Sequence, residues 1–156
     1  MRIISLTLCA AALVAGQAWP APARLSGSAY VIDGDTLVIH ATHVRLFGID
    51  AFEHDQTCGR LACGAQAIAV MTRLTQASIV TCEKQDIDPY GRTVAVCTAA
   101  GVDLGREMVR RGLAVAYRRF SRRYMEDESY ARAHRLGAWA YGFDSPVTWR
   151  RQHPRD

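Results

Sequence analysis

No run of this chain is apolar for long enough to cross a bilayer. The uncharged stretch from Ile3 to Ala18 is shorter than the roughly 20 residues a spanning helix needs, and Trp19-Pro20 ends it. Set behind Arg2 and ahead of the small residues Ala21-Pro22-Ala23, it has the order of a secretory leader. Residues 1–23 are therefore expected to be removed, with cleavage between 18 and 24, leaving a secreted or periplasmic chain with no membrane attachment. Internal repeats are also missing, which excludes solenoids and propellers. Lysine is nearly absent: Lys84 stands alone among 19 basic residues. The formal charge of +4 permits a polyanionic partner, and such a partner would meet guanidinium groups. By themselves the late pairs Arg110-Arg111, Arg118-Arg119, Arg122-Arg123 and Arg150-Arg151 read as solvated surface.

Without the leader the chain has the size of one ordinary domain, expected over 24–145 and followed by a basic tail over 146–156 that is expected to be loose from Arg150 to Asp156. Cys9 leaves with the leader, so Cys58, Cys63, Cys82 and Cys97 remain, an even number bound for an oxidising compartment. Four cysteines allow three pairings. We favour Cys82 with Cys97, which lie almost symmetrically about the turn Asp88-Pro89-Tyr90-Gly91, and Cys58 with Cys63 closing a small loop. A zinc site using His54, Cys58 and Cys63 lacks a fourth ligand.

Hydrophobic periodicity gives the elements. Ser28 to His40 alternates and is β-branched about Asp33-Gly34-Asp35, which fits two strands meeting at a turn. A third strand is expected from His43 to Ile49, and a hairpin from Ile79–Lys84 and Thr93–Thr98. Ile68, Met71 and Leu74 recur at helical spacing in a first helix over Ala65–Ala77. Asp103 can cap a second helix, with Leu104, Met108 and Val109 inward and Gly112 ending it. A third is expected over Tyr124–Leu136, with Met125, Ser129, Ala133 and Leu136 on its inner side and Gly137 as the stop. Five strands and three helices in this order suit a mainly β fold with α, a five-stranded OB-type barrel with helices packed outside.

The chemistry lies at turns and strand ends. Asp33, Asp35, Asp50 and Glu53 are placed where backbone geometry can converge carboxylates into an oxygen cage for a hard cation such as calcium, with Asp35 and Asp50 as first ligands. Arg45 sits in the apolar strand Val44-Arg45-Leu46-Phe47-Gly48-Ile49, where an unpaired cation is costly, so an anion must lie beside it. Arg92 follows the Tyr90-Gly91 turn. Two guanidiniums suit a phosphate, although an internal ion pair would satisfy either arginine alone. A cation, two arginines and a carboxylate able to orient water are what phosphodiester hydrolysis requires, and Glu53 is the candidate for the water.

Asp33-Gly34-Asp35-Thr36, then Val44-Arg45-Leu46 with Gly48-Ile49-Asp50 and Glu53, then Asp88 with Tyr90-Gly91-Arg92, and finally Arg111-Gly112-Leu113-Ala114 together resemble the staphylococcal nuclease family in order and spacing. The resemblance spans about Ala29 to Trp139. It implies calcium-dependent cleavage of DNA and RNA with little sequence preference, leaving 3′-phosphates. By the same resemblance Asp35, Asp50 and the carbonyl of Ala51 would hold calcium, Arg45 and Arg92 would grip the scissile phosphate, and Glu53 would act on the water. Tyr90 and Tyr117 would contact the nucleotide. The chain departs from the family pattern in having Ala51-Phe52 where Thr-Pro is usual, which is expected to loosen the Glu53 loop, and Pro89 where a lysine is common. The chain is expected to be a monomer, and the rival reading is a catalytically weak or inactive OB-fold module that binds nucleic acid.

Overall fold

The structure, a computed structural model, describes residues 23–154. The expected leader, except for its final residue, lies outside them. Nine strands and four α-helices are described: β1 (Arg24–Gly27), β2 (Tyr30–Asp33), β3 (Thr36–Ile39), β4 (Thr42–Leu46), β5 (Ile49–Ala51), α1 (Cys63–Thr75), β6 (Val80–Ile87), β7 (Thr93–Ala99), β8 (Val102–Asp103), α2 (Leu104–Arg110), β9 (Ala114–Ala116), α3 (Met125–Ala133) and α4 (Pro146–Gln152), with a 3-10 turn at Gly137–Ala140 before α4. No helix among the described residues is long and apolar enough to cross a membrane.

The five expected strands are β2, β3, β4, β6 and β7. The main sheet runs β1-β6-β7-β4-β3-β2, with β8 added to β7. It is antiparallel except where β4 lies parallel to β7. The sheet curls until β1 returns against the end of β3: His40 Nε2 lies 3.0 Å from the Ser26 carbonyl, and a Cβ on Gly27 would sit 2.9 Å from the Ile39 side chain. This is the mainly β, OB-type barrel that the order of elements implied. Inside it, Leu37, Ile39, Val44, Leu46, Val80, Ala95 and Ala99 are buried. They alternate with outward residues along their strands, as the period of two demands. Each large aliphatic side chain so buried contributes about 2 kcal/mol.

The third strand is not continuous. It breaks at Phe47-Gly48, where Gly48 adopts φ +75°, a conformation that costs glycine little. Phe47 N donates to the Ala95 carbonyl, and the chain then leaves the main sheet as β5 to pair with β9. That break matters for the site, because it lifts Asp50 out of the barrel wall.

α1 begins at Cys63, two residues earlier than expected, and buries Ala67, Val70 and Met71. α2 is capped by the Asp103 side chain accepting from Arg106 N, and it ends before Gly112 at φ +68°. The inner face of α3 differs from the expectation. Tyr124, Glu128 and Ala131 are buried while Ser129 and Ala133 are exposed. Glu128 turns inward because its carboxylate accepts from Ala116 N and Arg118 Nη2, and those bonds replace the water that a glutamate otherwise needs. The basic tail is also not loose throughout: Pro146–Gln152 is helical, with Ser145 accepting from Thr148 N as cap.

Both disulfides pair as expected, Cys58 with Cys63 and Cys82 with Cys97. Cys82 and Cys97 face each other directly across β6 and β7. With Cys58 and Cys63 bridged, no thiolates remain there for zinc.

Candidate active site

Asp33 starts the site. Its Oδ1 accepts from Asp35 N at 3.0 Å, tightening the β2–β3 turn. That turn sets the Asp35 side chain beneath β4, where Thr36 pairs with Arg45. Asp35 is buried. Its Oδ1 accepts from Arg45 Nη1 at 2.7 Å, and its Oδ2 accepts from Ala51 N at 2.9 Å. The other arm of the same guanidinium, Arg45 Nη2, donates to Asp50 Oδ1 at 2.9 Å. Arg45 thus spans the two aspartates expected as first ligands. Its own pKa is raised, with burial opposing and Asp35 and Asp50 prevailing.

Asp50, on β5, is buried as well. Its carboxylate also accepts from Arg150 of α4, Oδ1 from Nη1 at 3.1 Å and Oδ2 from Nη2 at 3.0 Å. Arg150 Nη1 donates at the same time to Glu53 Oε1 at 2.7 Å. Burial pushes the Asp35 carboxyl up to about 7, with Arg45 pulling the other way and Asp33 and Asp50 adding to the rise. With every carboxylate ionised, Asp33, Asp35, Asp50 and Glu53 together outnumber the guanidiniums of Arg45 and Arg150. A hard cation beside Asp35 and Asp50 would relieve that excess, and carboxylates are the donors such a cation takes. By this test the donor set suits a hard divalent cation. Among the described residues no three acidic or other ligating side chains form a preformed cation cluster.

Arg92 stands one residue before β7. Val94 pairs with Arg45, so Arg92 has the parity that keeps it on Arg45's side of the sheet. Asp88 aims it: Oδ2 accepts from Arg92 Nε at 2.7 Å, and Oδ1 from the backbone N of Arg92 and of Tyr90. Both arginines thus make internal ion pairs, and each pair orients a guanidinium on one side of the sheet.

The family model described as Staphylococcal nuclease homologue matches residues 43–141. The chain belongs to the staphylococcal nuclease family, and so to the hydrolytic nucleases. Among curated proteins it is similar to the "Micrococcal nuclease" of Shigella flexneri, 32% identical over 96% of this chain and 94% of that protein. It is also similar to an "Uncharacterized endonuclease" of Haemophilus influenzae, 32% identical over 78% of this chain and 70% of that one. The matched family span begins after Asp35 and ends before α4.

The tyrosines lie on either side. Tyr90 is 85% exposed at the tip of the β6–β7 turn, with Arg92 5.6 Å from its ring centre. Tyr117 follows β9, donates its N–H to the Gly48 carbonyl, and rests edge-on against Phe120.

Two residues of this nuclease's site went unread in the sequence. Gln56 is buried. Its Oε1 accepts from Glu53 N at 3.1 Å, and its Nε2 donates to the Asp144 carbonyl at 2.7 Å. Phe52 is buried as well, 5.0 Å edge-on to Phe143 and clustered with the Cys58–Cys63 bridge. The loop expected to loosen without a proline is therefore fastened by an amide, an aromatic anchor and a disulfide. Arg150 is the other. Its only sequence signal was a basic pair that reads as solvated surface.

Proposed function

We propose that this nuclease hydrolyses DNA and RNA with little sequence preference, using calcium and leaving 3′-phosphates. One observation supports the reading above the rest: a single guanidinium, Arg45, joins two buried aspartates, one from the β2–β3 turn and one from β5. Asp35, Asp50 and the Ala51 carbonyl hold the cation. Bound calcium supplies positive charge beside the phosphoryl oxygens and a site for water. Arg45 and Arg92 stabilise the charge that grows on the phosphate in the transition state, and their fixed ion pairs mean little reorganisation is needed when it appears. Glu53 accepts the proton of the attacking water. Tyr90 and Tyr117 contact the nucleotide. The chain acts as a monomer, secreted or periplasmic, once its leader is removed.

The second reading, a binding module without catalysis, draws on Arg150 occupying Asp50 and Glu53. One assay separates the two. Mature protein should degrade single- and double-stranded DNA with calcium and stop on chelation, and Arg92→Ala should abolish turnover while leaving most of the stability. Binding without cutting would favour the module, and cutting unaffected by chelator would remove calcium from the scheme.

A further inference from the structure

Beside the acidic end of the site lies a cavity of about 370 Å³ lined by Glu53, Asp55, Trp149, Arg150, His153 and Pro154. Four of these six come from α4 and the residues just after it, outside the span that matches the family. Trp149 and His153, one turn apart, stack with ring centres 3.9 Å apart. Arg150 is anchored by three N–H bonds to Asp50 and Glu53. A guanidinium has five donors, which leaves Arg150 Nε–H and one Nη2–H without a partner among the described residues. Its side chain is 40% exposed. The cavity is thus lined by a stacked Trp149–His153 pair, whose outer ring faces remain for a further ring, by an arginine with spare donors, and by Asp55 as a hydrogen-bond acceptor.

We propose that α4 forms a subsite for one nucleotide of the strand flanking the scissile phosphate. The subsite rests on the nuclease reading above and deepens it. The base lies against the Trp149–His153 stack, because every base has an apolar face and stacking tolerates any sequence. Its phosphate takes the spare donors of Arg150, and Asp55 accepts from an amino group or sugar hydroxyl. The volume is within the range that holds a small organic ligand. The anchor on Asp50 and Glu53 couples this subsite directly to the residues proposed for chemistry. Arg150 thus binds the strand directly while held by the residues proposed for chemistry.

The test measures anisotropy of a labelled single-stranded oligo-dT hexamer with chelator present, alongside cleavage of the same hexamer with calcium. Trp149→Ala should weaken binding about tenfold, as loss of one stacked base does, and Trp149→Phe should restore most of it. His153→Ala changes an exposed residue near the end of the chain and should weaken binding in the same direction. Arg150→Gln should flatten the salt dependence by about one phosphate contact, a slope change of ~0.7. Alanine variants that bind like wild type, or a phenylalanine variant as weak as alanine, would overturn the subsite. A wild type that cuts the hexamer but leaves its anisotropy flat overturns the subsite alone. A wild type that neither cuts nor binds overturns the nuclease reading and the subsite with it.

Discussion

Asp88 shows how one side chain aims another. Burial alone would raise its carboxyl pKa, but the hydrogen bonds from the Arg92 guanidinium and from the backbone of Arg92 and Tyr90 prevail and hold it below its ordinary value of 3.8. A carboxylate whose folded pKa is depressed stabilises the fold above its unfolded pKa, and that contribution is lost as pH falls through the folded value. Asp88→Asn should therefore cost about 1 kcal/mol at neutral pH, in the range of a charge-assisted surface pair. The gap from wild type should begin to close as pH drops below 3.8, where the unfolded chain takes up the proton, and vanish only once pH has fallen through the lower folded value, where folded Asp88 is protonated too. Urea unfolding at both pH values reads this, and a gap that stays constant would show that the charge plays no part. Turnover should fall as well, because Arg92 loses its anchor. Asp88 was legible as part of a turn motif, and Asp35, Arg45 and Asp50 as charges at strand ends or in an apolar strand. Arg150 was not, since it meets Asp50 from 100 residues away, and pairing at that separation leaves no local trace. Gln56 was missed because a buried amide looks the same in sequence as an exposed one.

Elements reached the sequence where one periodicity held throughout. The β6–β7 hairpin and α1 did so, as did α2 with its Asp103 cap. The β4–β5 break did not, because Phe47-Gly48 continues an apolar run and only the positive φ of Gly48 reveals the exit. The inner face of α3 was misread because a glutamate occupies it, against the rule that charges face water. α1 also positions the site in a way that can be tested. A Cβ on Gly64, in its first turn, would lie 1.7 Å from the Glu53 carbonyl oxygen and 2.7 Å from that of His54. No side-chain rotation relieves a contact with backbone. Gly64→Ala must then push the Glu53 loop away from α1, at a cost of about 2 kcal/mol or more by the scale of overpacked cores. Thermal unfolding should show that loss. The residual folded enzyme should also turn over more slowly, through displacement of Glu53. Wild-type stability and rate in this variant would mean that the loop and helix do not pack as described.

At the scale of the whole molecule, the two disulfides divide the work of holding barrel and site. Cys82–Cys97 ties the β6–β7 hairpin, which lies between β1 and β4 in the main sheet, and closes 15 residues of chain. By the loop-entropy relation it stabilises the fold by about 3 kcal/mol. Cys58–Cys63 spans only 5 residues and restricts the unfolded chain less, but it belongs to the cluster that anchors Phe52 and hence the loop bearing Glu53. The two should therefore fail differently. Replacing Cys82 and Cys97 by alanine should lower the melting temperature strongly, with little change in turnover per folded molecule. Replacing Cys58 and Cys63 should lower the melting temperature less and the turnover more. Reducing agent on the intact protein should do both, and a melting temperature unmoved by reductant would show that the thiols are not bridged. Equal effects of the two double variants on stability and rate would mean that the Phe52 cluster does not hold Glu53 for catalysis, and that the loop stands on Gln56 and Arg150 alone.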